Sequence, residues 1–150
     1  MQIQKDFRDL LELFNENNVK YIVVGGYALA YHGVPRYTGD IDLWTATSVE
    51  NAQNILQALK QFGFGSTKLT IDDLTGDNQI VQLGYPPVRI DIITSVDGLD
   101  WERAFYNSIE TSYGDVTIRL ISLSDFIKNK KASGRHKDLA DLEALGEKVE

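Results

Sequence analysis

"VVGGYALAYHGVPRYTGDIDLW", residues 23–44, sets a Gly-Gly pair directly after an apolar run. It then places Asp40 and Asp42 one isoleucine apart in a segment that otherwise reads as a buried strand. Side chains alternate across a strand, so Asp40 and Asp42 point to one face while Ile41 and Leu43 point to the other. A strand with one wet face would give this pattern. Aspartate, however, is among the poorest strand formers, and two in one short strand ask for a further reason. A third carboxylate, Asp91, sits in "VRIDIIT" with isoleucine on either side. Ionised in such surroundings it costs on the order of several kcal/mol unless a cation pairs with it, and Arg89, two residues away on the same face, is one such partner. Three carboxylates converging on one sheet face would instead repel one another and call for a divalent cation. Magnesium suits such a set, since it takes carboxylate, water and phosphate oxygens.

Gly25 and Gly26 supply a second half to this pattern. A strand that ends in glycines and feeds a helix exposes backbone N–H groups with no Cβ in the way, and such groups attract phosphate. Taken alone, the pair is equally a tight turn. A phosphate cradle, paired carboxylates and a third carboxylate on a neighbouring strand share one explanation, which is metal-assisted chemistry on a nucleotide.

Composition narrows the alternatives. The 150 residues are the size of one ordinary domain, and 43% hydrophobic with 25% charged residues is the make-up of a globular chain. No apolar run approaches membrane-spanning length and the N-terminus lacks a basic, then apolar, leader, so a cytoplasmic protein without membrane contact is expected. The absence of cysteine removes disulfides, thiolate nucleophiles and cysteine-bound zinc, and two histidines are too few for a histidine-built metal site. Any metal must be held by oxygen. A formal net charge of -7 argues against non-specific DNA binding, which rests on many Lys and Arg contacts to phosphate.

Phe7, Leu10, Leu11 and Phe14 recur at helical spacing and predict a helix over about 5–17. "KYIVV" reads as a strand, and "YALAYHG" as a short helix broken by Gly33 and Pro35. "DIDLWTA" is the next strand, followed by a helix "VENAQNILQALKQF" that Ser48 caps and Gly63 stops. "NQIVQLGY" and "VRIDIIT" bracket Pro86-Pro87 as two antiparallel strands, and "TIRLIS" is a further strand after Gly114. Ser124 is expected to cap a helix through "DFIKNKKA". Gly134 interrupts it, and "HKDLADLEAL" resumes with Leu139, Leu142 and Leu145 on one side. The mixed order predicts an α+β fold, a mixed sheet flanked by helices, in a single domain over 1–150 with C-terminal helices over about 124–148.

Gly25, Gly26, Asp40, Asp42 and Asp91 together resemble the nucleotidyltransferase superfamily, the family of DNA polymerase beta, the poly(A) polymerases and the minimal nucleotidyltransferases. Its pattern is an apolar strand ending in two small residues, a strand with two acidic residues one apart, and a third acidic residue on a later strand. More narrowly, "GGYALAYHGVPRYTGDIDLW" with "KKASGRHKDLADLEAL" is similar to the nucleotidyltransferase-like proteins of abortive-infection and toxin-antitoxin systems. The gap from Gly26 to Asp40 is longer than in the minimal enzymes, and the chain has little room for the larger helical portion of many relatives. The resemblance implies transfer of a nucleoside monophosphate from an NTP, ATP among the donors, to a hydroxyl on a small molecule, RNA or protein, with release of pyrophosphate. It also implies two Mg2+ ions, or Mn2+, held by Asp40, Asp42 and Asp91, with Asp91 as general base and Gly25 and Gly26 cradling the β and γ phosphates.

A triphosphate brought to a carboxylate-rich site also needs cations. Arg36, in the loop before the two aspartates, and the run "KNKKASGRHK" offer them. Lys131 and Arg135 lie four apart and would share a helix face as phosphate ligands, although cations at a helix end also simply answer the helix dipole. Asp138 is expected to orient one of these cations, and His32 to be a hydrogen-bonded structural residue. Tyr27, Tyr31 and Tyr37 either pack beneath a loop or stack on a base. Two other classes stay open: an idle member of the fold acting as protein partner in a toxin-antitoxin pair, and a metal-dependent nuclease.

Overall fold

In the computed structural model, residues 3–34, 39–65, 67–85 and 87–146 are described. Helix α1 (Lys5–Glu16) buries Phe7, Leu10, Leu11 and Phe14 on the stripe that their spacing predicts, and Gln4 caps it by accepting from the Asp6 N–H. Strand β1 (Tyr21–Val24) is buried on both faces and runs straight into α2 (Gly25–Tyr31). β2 (Asp40–Thr45) follows, then α3 (Val49–Leu59), capped by Ser48 through the Asn51 N–H. A π-helical turn, Lys60–Phe64, follows α3, and Gly63 within it leaves the helical region with a φ of 115°, so the helical path breaks at the glycine as expected.

A short helix α4 (Ile71–Thr75), opened by a Thr70–Asp73 capping box, leads to β3 (Ile80–Tyr85) and β4 (Val88–Ile93), which pair antiparallel as expected. Helix α5 (Trp101–Asn107) and strand β5 (Ile109–Tyr113) precede β6 (Val116–Leu120). Neither α4, α5 nor β5 was expected. The chain closes with α6 (Leu123–Ser133) and α7 (His136–Ala144). Ser122, not Ser124, caps α6: its backbone is extended and its hydroxyl accepts from the Asp125 N–H at 3.1 Å, while Ser124 lies inside the helix. Ser122 stands three residues before Asp125, the spacing at which a cap meets the third N–H of its helix.

The strands form one six-stranded sheet in the order β3-β4-β2-β1-β6-β5. β2 pairs parallel with β4 and β1 parallel with β6, while β1–β2, β3–β4 and β5–β6 are antiparallel, so the sheet is mixed and the fold α+β. Trp44 of β2 meets Trp101 of α5 edge to face, with ring centres 5.2 Å apart, and donates from its indole N–H to the Thr94 carbonyl. Side-chain parity places Asp40 and Asp42 on the same face as Trp44. Among the described residues no helix is long and apolar enough to cross a membrane.

Candidate active site

Two register choices in the sheet build the site. β1 lies antiparallel to β2 with Val24 opposite Asp42, and β2 lies parallel to β4 with Asp42 opposite Asp91 and Asp40 opposite Arg89. Asp40, Asp42, Arg89 and Asp91 therefore share one face, and each of the three acids offers a carboxylate oxygen within 4.8 Å of the others. Gly25, the first residue past β1, has a φ of 70°, and a Cβ built on it would overlap the Asp42 carboxylate. Only glycine lets the backbone turn into α2 that close to the acid.

The carboxylates are electrostatically crowded. Burial, followed by the charges of Asp40 and Asp91 and a hydrogen bond with Asp91, pushes Asp42 up to about 7, with Lys137 acting in the opposite direction. Arg89 answers part of this charge: its Nε and Nη2 each donate 3.1 Å to one oxygen of Asp91, a two-pronged pair on a side chain that is almost fully buried. Arg89 is thus the partner that an aspartate among isoleucines requires. Three clustered carboxylates are a set of hard oxygens, and such a set could hold a divalent cation.

A cavity of about 570 Å³ opens over this face, lined by Gly25, Gly26, Asp40 and Asp42 at one side and by the corner between α6 and α7 at the other. Gly134 ends α6 in the left-handed region, with a φ of 63°, and Arg135 begins α7 with extended backbone. Lys131 and Arg135 consequently do not share a helix face, contrary to expectation. Lys131 is exposed on α6 and is not among the residues lining the cavity, whereas Lys130, Ser133, Arg135, Lys137 and Asp141 are.

Asp138 organises the corner. It is 0% exposed and accepts from Lys130 Nζ at 3.1 Å, from Arg135 Nε at 2.8 Å, from the Arg135 backbone N–H and from the Ser133 hydroxyl. Burial alone would raise its pKa, but Arg135, Ser133 and Lys130 outweigh it and hold the carboxyl well below the usual carboxylate range. Lys130, itself buried, also reaches Asp141 at 3.6 Å. The expected role of Asp138 in orienting a cation is met at Arg135, and Lys130, which was not expected, is held as well.

The remaining expectations fall as follows. His32 Nε2 lies 2.8 Å from the Ile121 carbonyl, and Tyr27 is buried against Phe7 and Tyr113, so both serve packing. Tyr31 is exposed. Arg36 and Tyr37 lie outside the described residues. The residues missed from the sequence are Lys130 and Lys137, and a signal for the former was present: Asp138 and Asp141 stand at the positions that with Leu142 face inward on α7. Two carboxylates on a buried stripe demand a buried cation.

Exchanging Gly25 for alanine should cost at least about 1–2 kcal/mol from the left-handed backbone alone, and the overlap with Asp42 adds to that. Thermal unfolding of Gly25→Ala without metal will read it; a loss no larger than the backbone cost would mean that Asp42 can vacate the space above Gly25, and no loss would overturn the strain argument.

Residues 1–146 match the family model described as "Nucleotidyltransferase of unknown function (DUF6036)". Comparison with curated proteins gives no match. Among solved structures, the Thermotoga maritima protein TM1012, itself a proposed nucleotidyltransferase, superimposes with a TM-score of 0.65 at 18% identity over 95% of this chain and 93% of that one. The lincosamide antibiotic adenylyltransferase LnuA, bound to lincomycin, gives 0.56 at 17% identity over 95% of this chain and 96% of its own. The antibiotic-resistance factor ANT(2'')-Ia gives 0.56 at 14% identity over 94% of this chain and 80% of its own. At these identities the three structures establish a shared fold.

Proposed function

The chain belongs to the DUF6036 nucleotidyltransferases, and from that premise we propose that it moves a nucleoside monophosphate from an NTP to a hydroxyl of a small acceptor, with release of pyrophosphate and with dependence on a divalent metal. The observation that carries this is the convergence of the Asp40, Asp42 and Asp91 oxygens within 4.8 Å, beside a glycine that cannot bear a Cβ. Asp40, Asp42 and Asp91 would hold magnesium, or manganese in its place. Bound there, the metal supplies Lewis-acid polarisation of the α-phosphate and neutralises the developing charge.

The chain's own groups do the rest. In this reading Asp91 would accept the proton of the acceptor hydroxyl, and Arg89, which donates to both of its oxygens, would orient it. Gly25 and Gly26 offer backbone N–H groups to the donor phosphates at the end of β1, and Arg135, tied to Asp138 only through one edge, keeps a side chain 74% exposed toward the cavity they share. A cavity of about 570 Å³ is of the size that holds small molecules, and the lincosamide adenylyltransferase with the same fold acts on a small antibiotic. Both support a small-molecule acceptor over RNA or protein.

The test is the fate of label. Purified protein with magnesium, a cell extract as acceptor source and NTP labelled at either the α- or the γ-phosphate should label an acceptor only from the α position. Label from γ would overturn the reaction type. Acceptor cleavage without any NTP would move the assignment to a nuclease. No transfer from either position, with all four bases tried, would favour the binding-partner role in a toxin-antitoxin pair.

A further inference from the structure

Among the described residues three cations line the cavity, and their circumstances differ. Lys130 is buried and bound to Asp138 and Asp141, and Arg135 donates from Nε to Asp138. The Lys137 side chain is exposed and, among the described residues, makes no salt bridge or hydrogen bond, although Lys137 lines the same cavity as Asp40 and Asp42. Helix stability does not explain it. Lys137 sits in the first turn of α7, the positive end of the helix dipole, where a cation is disfavoured. An ammonium held opposite a carboxylate cluster without closing on it is suited to an anion that arrives between the two.

We propose that Lys137 contacts the phosphates of the donor and that Asp138, its neighbour in the chain, is the positioning residue that aims it. The inference rests on the nucleotidyltransferase function proposed above. Asp138 ties Lys130 and Ser133 of α6 to the Arg135 backbone and side chain at the start of α7, so the first turn of α7 cannot swing without breaking buried charge-assisted bonds. Lys137 therefore approaches the phosphates from a fixed base and loses freedom only along its own stem.

Inorganic tripolyphosphate with magnesium is the probe, measured by calorimetry on the full chain beside NTP titrations. Lys137→Ala should weaken tripolyphosphate about ten- to a hundredfold, the loss of one charge-assisted hydrogen bond, and raise the KM for NTP by a similar factor with kcat changed much less. Lys137→Arg should recover most of the affinity, and Lys128→Ala, which removes the same charge from α6 outside the cavity, should bind as the parent does. Asp138→Asn should shift KM in the same direction as Lys137→Ala, and because it also strains folding, the Lys137 variants carry the decision. A parent that transfers α-label while Lys137→Ala binds tripolyphosphate unchanged would overturn this inference and leave the function standing. A parent that neither binds tripolyphosphate nor transfers label would overturn both.

Discussion

Asp42→Asn should lose more than about a hundredfold in transfer, since it removes a charged ligand from the centre of the cluster and even outer-shell changes at metal sites cost ten- to a hundredfold. The same variant should be more stable than the parent in chelator at pH 8. The folded protein holds Asp42 at about 7, against an ordinary value of 3.8, because burial, the charges of Asp40 and Asp91 and the hydrogen bond with Asp91 favour its neutral form. A carboxyl raised in the fold contributes stability that is whole below its unfolded value and is lost as pH rises through its folded one. Between about pH 4 and 7 the metal-free parent should therefore weaken relative to Asp42→Asn, by roughly 2–4 kcal/mol at the upper end. Melting curves from pH 4 to 8 measure the gap. Magnesium with NTP should reverse the order, stabilising the parent by mass action and the variant far less. A variant that melts well below the parent in chelator at every pH would make Asp42 a structural residue and remove it from the site.

Asp138→Ala should cost about 3–5 kcal/mol, on the order of 10 °C in melting temperature for a chain of this length. The loss is large because Lys130 is itself buried, and without Asp138 its ammonium keeps, among the described residues, the 3.6 Å contact to Asp141 and the face of the Phe126 ring. The cost should also depend on acid. Asp138 is held below its ordinary 3.8 by Arg135, Ser133 and Lys130 against the push of burial, so its contribution is present above that value and disappears as pH falls beneath it. The difference between parent and Asp138→Ala should accordingly narrow below about pH 4. A shift within about 2 °C at neutral pH would show that solvent reaches Lys130 and that the corner does not depend on this bond.

What could be read without coordinates follows from periodicity and from chemistry that is costly to hide. The stripe Phe7, Leu10, Leu11, Phe14 fixed α1, and two aspartates one apart in "DIDLW", a residue type that strands avoid, announced a site before any contact was known. Asp91 among isoleucines named its own partner, Arg89, because a buried carboxylate must be answered nearby. Local signals were too weak elsewhere. Strand β5, "IETSY", is half-exposed at the sheet edge, and its pairing with β6 depends on the two-residue turn at Gly114 and Asp115. Helices α4 and α5, of five and seven residues, are too short for a periodic pattern and take their stability from packing, as Trp101 does against Trp44.

The chain by itself determined the acidic residues, the glycine pair and the mixed α+β order, since each is a property of residue type and spacing within one element. Tertiary structure decided which cations meet the acids. Sequence spacing placed Lys131 beside Arg135 on a continuous helix, but the left-handed Gly134 turns the chain there, brings Asp138 back onto Lys130 and sets Lys137 on the cavity wall. A single positive φ rotates every later side chain to a new direction, and the distance from α7 to the end of β1 is set by the sheet between them, so no local pattern along "KNKKASGRHK" could have told Lys130, Lys131 and Lys137 apart.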